Sequence, residues 1–232
     1  MDTAVMEDYL KTIYECERED GPPVGTSAIA DVLSVTAPTA TRMLEKLAEE
    51  DLIEREKYSG VELTDHGRAI AIETIRHHRL LEAYLVEHLD YEWEEVHDEA
   101  ERLEHHISED FEERIAQELD HPPVDPHGEP IPNADLEAPA ETDVDPLSAC
   151  REGDTVVVAS VRERDAETLR YLEAEGIVPG RELTIADITP VGTYILECAC
   201  DSRQLPESTA ERIYVRSAGA GEDALSEEVP GL

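Results

Sequence analysis

TAPTATRMLEKLAEEDLIEREKYSGVELTDHG, residues 36–67, changes its apolar period partway along, and that change decides the fold. Thr36 is placed to cap a helix over APTATRMLEKLAEEDL, with Pro38 in the first turn, where a missing N–H breaks no helical bond. The following IEREKYSGVELTDHGRAIA reads as strand, turn at Ser59-Gly60, strand, and the start of a new helix. Upstream, Met6, Tyr9, Leu10 and Ile13 mark one face of a first helix, and Thr26 or Ser27 caps a second over SAIADVL. Two short helices followed by a helix and a hairpin predict a winged helix-turn-helix over residues 1–73.

In that motif the second helix of the pair enters the major groove. Its exposed N-terminal positions are Thr36, Ala37, Pro38, Thr39, Thr41 and Arg42, which supply hydroxyls, an apolar contact for a thymine methyl and one guanidinium. Arg55, Lys57 and Tyr58 on the wing suit phosphates. The charge opposes this reading, with seven basic against 17 acidic residues in residues 1–73. Five of the seven (Arg42, Lys46, Arg55, Lys57, Arg68) nevertheless fall in the reading helix, the wing and the helix after it. A winged helix used for protein contacts is the alternative.

The whole chain carries a formal charge of −38, from 57 acidic and 19 basic residues. Such a surface repels itself in dilute buffer. At 1 M salt the Debye length is about 3 Å, so the excess reads as adaptation to the salt-rich cytoplasm of a halophile. A disordered acidic chain is excluded by the clear hydrophobic periodicity. With only 4% aromatic residues, the core must be built from Leu, Ile, Val and Ala. The N-terminus, MDTAVMEDYL, lacks a basic and apolar leader, and no run of about 18 apolar residues occurs, so a cytoplasmic protein is expected. Cys16, Cys150, Cys198 and Cys200 form no disulfide framework; Cys198 and Cys200, at i and i+2 of a strand-like run, read as buried thiols rather than a zinc site.

Beyond residue 73 a helical domain is expected over 74–133, a Pro- and acid-rich linker over 134–146, alternating strands with one short helix over 147–217, and an acidic tail over 218–232. Seven of the 14 prolines lie between Pro122 and Pro146, which excludes a helix or a central strand there and leaves a linker or an extended wrap.

HDEAERLEHH, residues 97–106, then puts three histidines and four carboxylates into one predicted helix. On a continuous helix His97, Glu101, Glu104 and His105 share a face, while Asp98 and His106 point elsewhere. A second helix, AIAIETIRHHRLLEAYLVEHL, offers His78 and Glu82 at i and i+4, and the first helix offers Asp8. The nearby cations, Lys11, Arg79 and Arg102, are expected off these faces, so the carboxylates repel one another unless protonated or joined by a divalent metal. A solvated acidic face explains Glu101 or Glu104 singly but not the histidines. His77, His88, His106 and His121 read as surface or packing residues.

MEDYLKTIYE, the helix-turn-helix, HHRLLEAYL, VHDEAERLEHHISEDFEERI and HPPVDPHGEPIP, in this order across roughly residues 4–133, resemble the diphtheria-toxin-repressor (DtxR/MntR) family of metal-dependent transcriptional regulators. VASVRERDAETLRYLEAEGIVPGRELTI is similar to the SH3-like, FeoA-type domain of its long members. The resemblance implies a mainly α fold with small β: winged helix-turn-helix, helical metal-binding and dimerisation domain, and C-terminal SH3-like β-barrel. It implies a primary metal site at Asp8, Glu101, Glu104 and His105. An ancillary site falls at His78, Glu82 and His97, with a further ligand from the SH3-like domain, Glu167 ahead of Glu163 or Asp165. It implies a DNA reader at Thr36, Pro38, Thr39 and Arg42, and a homodimer on operator DNA that regulates metal uptake, for which Leu80, Leu81, Tyr84, Leu85, Leu89 and Trp93 offer spare apolar surface.

In iron-sensing members the positions of Asp8 and Glu101 hold Met and Cys. An oxygen and imidazole donor set suits Mn(II), with Fe(II) as the second choice. Lys11 stands where short two-metal manganese sensors carry Glu, which favours two separated sites over a bridged pair. The reading from another class is a ferritin-like oxidase or metal store, which needs paired Glu-x-x-His motifs such as Glu94-x-x-His97 on separate helices and leaves the wing unexplained.

Overall fold

The computed structural model describes residues 3–56, 59–137, 144–198 and 201–218, which pack as two compact units. One draws on Met1–Tyr84, Asp98–Pro123 and Ile131–Pro139, the other on Leu85–His97, Val124–Pro130 and Ala140–Leu232. Lys57 and Tyr58 of the wing, Cys200, residues 138–143 of the expected linker and the tail after residue 218 lie outside the described residues.

In the first unit, α1 (Thr3–Asp20), α2 (Thr26–Val32) and α3 (Ala37–Glu49) precede the antiparallel pair β1 (Ile53–Glu56) and β2 (Gly60–Leu63), with Ile53 opposite Leu63. Tyr9, Leu10 and Ile13 bury the inner face of α1 against Ile29, Ala40, Leu44, Leu47, Val61 and Ile75 in one apolar core. The caps differ from expectation. α2 starts at Thr26 behind Gly25, with no side-chain cap, and Thr36 caps α3 by backbone position while its hydroxyl bonds Thr39 Oγ1 at 2.9 Å. α4 (Asp65–Leu89) does have a side-chain cap, since Gly67 N–H donates to Thr64 Oγ1 at 3.1 Å. Gly67 admits no side chain, because a Cβ there would meet the Leu52 carbonyl oxygen at 2.0 Å.

α5 (Val96–Leu103) and α6 (Glu109–Glu118) complete the helical part, where Leu80, Leu81, Ala100, Ile115, Ala116 and Leu119 form a second apolar cluster. The sequence predicts one helix through residues 97–106, but α5 ends at Leu103. His106 N–H bonds Leu103 O at 2.9 Å, an i to i+3 contact that tightens the chain into a turn. Glu104 and His105 therefore leave a turn, not a helical face. The apolar residues expected to remain spare for a partner are also largely consumed internally: Leu80, Leu81, Leu85 and Trp93 are buried and Tyr84 partly so, leaving Leu89 at 54% exposure.

The second unit is built on a six-stranded antiparallel sheet, in the order β3 (Asp145–Pro146), β8 (Ile213–Ser217), β4 (Thr155–Val161), β5 (Glu182–Ile188), β6 (Thr193–Cys198) and β7 (Asp201–Pro206). α7 (Ala166–Ala174) follows β4, capped by Asp165, which accepts from Thr168 N–H; α8 (Glu207–Ala210) is a second helical turn that the sequence reading lacked. Val158, Leu169, Leu172, Ile185, Leu196 and Ile213 fill its core together with Trp93. The segment Val124–Pro130 is an ordered wrap. Asp125 Oδ1 accepts from His127 and Glu129 N–H, the His127 ring stacks on Trp93 at 5.1 Å, and His127 O accepts from Val161 N–H. Gly128, at φ +83°, lies so close to Ala159 O that a Cβ would meet it at 2.0 Å. The DPHG motif thus has a packing explanation.

Candidate metal centre and DNA-reading helix

Three of the expected ligands converge in the first unit. Asp8 is on α1, one turn into the face that buries Tyr9 and Leu10; Glu104 and His105 are on the turn after α5. One ligand atom from each lies within 4.8 Å of the others. His105 Nε2 is 2.8 Å from Asp8 Oδ1 and 3.5 Å from Glu104 Oε1. Its other nitrogen, Nδ1, faces Glu7 Oε2 at 2.6 Å, which fixes the ring so that Nε2 looks into the cluster. Burial makes this arrangement costly unless its charges are satisfied: Glu104 is 1% exposed.

Glu101 and His78 join the cluster around Lys11. Lys11 was expected off the ligand faces. In the structure its Nζ is 3.0 Å from both Glu104 oxygens, 3.4 Å from Glu101 Oε2 and 3.4 Å from His78 Nδ1. The signal was available, because Lys11 is three residues after Asp8 and so shares its face of α1, and a long stem carries the ammonium inward. His78 Nδ1 also contacts Glu104 Oε2, and its Nε2 is 3.0 Å from Glu82 Oε1, so the expected pairing of His78 with Glu82 is present as a buried i, i+4 contact. Glu7 was missed as well. His77, read as a packing residue, holds the Glu104 carbonyl at 3.1 Å and Glu112 at 3.0 Å, and Arg76 ties Glu112 to Pro132 O.

These contacts set protonation. The Asp8 carboxylate beside it raises His105 to about 9 against the pull of burial, with Glu7 and Glu104 adding to the rise. For His78, burial and Lys11 press downward, but Glu82 and Glu104 outweigh them and it too reaches about 9. Burial pushes the Glu104 carboxyl up, and His78 and Lys11 more than reverse that. A cavity of about 570 Å3 opens onto the cluster, with the carboxylates of Glu7, Glu73, Glu104 and Asp110 and the imidazoles of His77 and His105 in its lining beside apolar residues such as Ile70 and Ile107.

The residues fit a divalent ion on two grounds. The donors are carboxylate oxygens and imidazole nitrogens, which suit first-row divalent metals. In addition, Asp8 Oδ1 is buried with no hydrogen-bond partner, although His105 Nε2 is close: two donor atoms adjoin without the geometry to bond each other. His97, on the first turn of α5, and Glu167, exposed on the first turn of α7, belong to the second unit. On the reading helix, Thr36, Pro38, Thr39 and Arg42 are all exposed at its N-terminal end, as a groove-reading face requires. Arg55 on β1 is exposed and paired with Glu45 at 3.3 Å. Lys57 lies outside the described residues.

A winged helix, a buried carboxylate and imidazole cluster and an SH3-like sheet in one chain define a metal-dependent DNA-binding regulator. The sequence matches the iron dependent repressor N-terminal DNA binding domain over residues 1–61, the iron dependent repressor metal binding and dimerisation domain over 64–133, and the FeoA domain over 146–217. It is 33% identical over 220 residues to the iron-dependent repressor IdeR of Mycobacterium tuberculosis, covering 90% of this chain and 95% of that protein. It is 30% identical over 218 residues to the diphtheria toxin repressor of Corynebacterium glutamicum, covering 90% and 94%. Among solved structures, a manganese-dependent transcriptional repressor in complex with manganese superimposes with a TM-score of 0.85 at 38% identity, covering 91% of this chain and 99% of that one. ScaR with bound Zn2+ gives 0.78 at 36% identity, covering 91% and 99%. The chain belongs to the DtxR/IdeR family of iron- and manganese-dependent repressors, which are transcriptional regulators and not enzymes. Among the described residues no helix is long and apolar enough to cross a membrane.

Proposed function

We propose that this chain is a manganese-responsive repressor that acts in the cytoplasm as a homodimer on the operators of metal-uptake genes. The observation that carries the reading is the oxygen and imidazole donor set at Asp8, Glu104 and His105, with the buried Asp8 Oδ1 lacking a hydrogen-bond partner. Neither a thioether nor a thiolate is among these donors, which favours Mn(II) and leaves Fe(II) second, since iron accepts the same atoms. Solved relatives described as manganese-dependent or manganese regulators support the same choice. Glu101 is the fourth ligand of this primary site, and His78, Glu82 and His97, with Glu167 from the SH3-like domain, form the ancillary one.

A divalent ion bound there supplies two positive charges that the residues themselves lack. Asp8 belongs to α1 of the winged helix, whereas Glu104 and His105 follow α5, so joint coordination ties the reading head to the helical part. Thr36, Pro38, Thr39 and Arg42 then contact base edges, and Arg55 and Lys57 contact phosphates. Shifting a dimer from mostly mismatched to mostly matched readers needs about 5.5 kcal/mol of differential binding, which one or two multidentate sites can supply.

The test is operator affinity of the full chain on DNA from its own promoter, in high salt, with Mn(II), with Fe(II) under anaerobic conditions, and with chelator. Asp8→Ala is expected to lose the metal-dependent gain in affinity, at least tenfold, while the metal-free thermal midpoint stays near that of the parent. A gain that survives in this variant overturns the tether.

A further inference from the structure

The helix that carries Asp8 also grips the wing. Glu17 lies about 13 Å further along α1, at about 1.5 Å of rise per residue, and is buried near the last turn. Its Oε1 accepts from Leu63 N–H at 2.7 Å and its Oε2 accepts from Arg68 at 2.5 Å. A buried carboxylate is costly unless paired, and both oxygens of this one serve the wing and α4. Just past the end of α1, Val24 exchanges both backbone bonds with Val61, each at 2.9 Å. Strand β2 is thus held to α1 at two points, Val61 and Leu63, which fix its direction where a single point would let it swivel. Across the hairpin these two residues face Arg55 and Ile53. The strand that bears the exposed Arg55 guanidinium is therefore aligned by α1.

We propose that Glu17 is a positioning residue that carries metal occupancy from α1 to the wing: it makes the hairpin move with the helix as one body, so that fixing Asp8 also fixes where Arg55 meets the DNA backbone. The inference rests on the metal-dependent reading above and adds the route by which the wing follows the ion. A hydrogen bond is directional, so the Leu63 amide on Glu17 sets the angle between β2 and the helix axis, which apolar packing leaves loose. Without the carboxylate the Val24 and Val61 pair remains and the hairpin stays folded. It then turns about that one bridge, and an ion at Asp8 orders the reading helix but not the wing.

The experiment measures operator affinity of the full-length chain at a series of KCl concentrations, with Mn(II) and with chelator, beside Mn(II) affinity by calorimetry and backbone amide exchange of the metal-free chain. Glu17→Ala should bind Mn(II) within about twofold of the parent yet lose at least tenfold of the metal-dependent gain in operator affinity. The slope of log affinity against log salt should shrink by about one per protomer, the mark of a lost phosphate contact. In the metal-free variant the Leu63 amide should exchange at least tenfold faster, while the amides of α3 keep the parent's rates. Glu17→Gln, which keeps an oxygen for that amide, should stay within about threefold of the parent. Should Glu17→Ala fail to fold, Glu17→Asp, whose carboxylate stops one methylene short, takes its place with the same expectations. A parent-like gain and slope in the variant overturn the proposal. So does a loss of operator affinity at unchanged slope, which reports stability alone, or one matched by a loss of Mn(II) affinity, which puts Glu17 at the metal. A parent chain with no metal-dependent gain overturns the metal-sensing reading beneath, and the relay with it.

Discussion

At His105 and His78 the metal-free chain holds protons that an ion bound as proposed would have to displace. Both imidazoles are raised from an ordinary value of 6.5 to about 9 by carboxylate neighbours, Asp8 and Glu7 in one case, Glu82 and Glu104 in the other. A histidine whose folded value exceeds its unfolded one contributes stability that is complete below about 6.5 and lost as pH rises through about 9. The thermal midpoint of the chelated protein should therefore fall between pH 7 and pH 9.5. With Mn(II) the trend should reverse between pH 6 and 8, because binding releases those protons and tightens as they become scarce. Scanning calorimetry with and without metal checks both slopes, and parallel slopes would remove the histidines from the site. The cluster's side chains were legible in the sequence, since carboxylates and imidazoles at Asp8, Glu101, Glu104 and His105 stand out by type and by the family spacing, and the structure brings Asp8, Glu104 and His105 together. The partners that tune them were less so. Lys11 shares the α1 face of Asp8, which was a signal, but Lys and Glu are ordinary surface types, and packing sets Lys11 on Glu104 and Glu7 against His105.

Between elements, one buried carboxylate does what an apolar core cannot. Glu17, near the end of α1, accepts from Leu63 N–H at 2.7 Å and from Arg68 at 2.5 Å, so it fastens the first helix to the last residue of the wing and to α4 at once. Glu17→Ala leaves the Leu63 N–H buried and unpaired, whereas Arg68, 41% exposed, regains water. The cost should be about 1–3 kcal/mol, the penalty of one unmet buried donor, read as a lowered denaturation midpoint at unchanged slope in guanidinium. A change under about 0.5 kcal/mol would mean that water replaces the carboxylate. Helices and wing were readable because their periods of 3.6 and 2 are written in apolar residues that stay buried here, such as Leu10, Leu44, Leu47 and Val61. The early end of α5 was hidden, because LEHH contains no glycine or proline and every residue in it tolerates a helix. The docking of Val124–Pro130 was hidden for a related reason, since the stack of His127 on Trp93 joins residues 34 apart.

Over the whole molecule the charge of −38 is the dominant long-range force, and it falls on a protein that must approach an anionic polymer. The sequence disclosed this number and the family together, but not how the charge is arranged. The structure shows that some of it is internal: Glu17, Glu82 and Glu104 are buried with cationic or imidazole partners, so the repulsion resides in the exposed remainder. Unpaired surface charges interact over the Debye length, about 10 Å at 0.1 M salt and about 3 Å at 1 M. The thermal midpoint of the metal-free chain should accordingly rise between 0.05 and 1 M KCl and then level off, because beyond that length neighbouring carboxylates are already screened. A rise that continues unabated to 3 M would assign the effect to salt exclusion from apolar surface instead, since that contribution grows with concentration. Ammonium sulfate separates the two, because at equal ionic strength it should match KCl if screening governs and exceed it if exclusion does. A midpoint indifferent to salt would mean that the acidic excess carries no free-energy penalty in the folded chain, and that the surface charge is paired more extensively than its 19 basic residues allow.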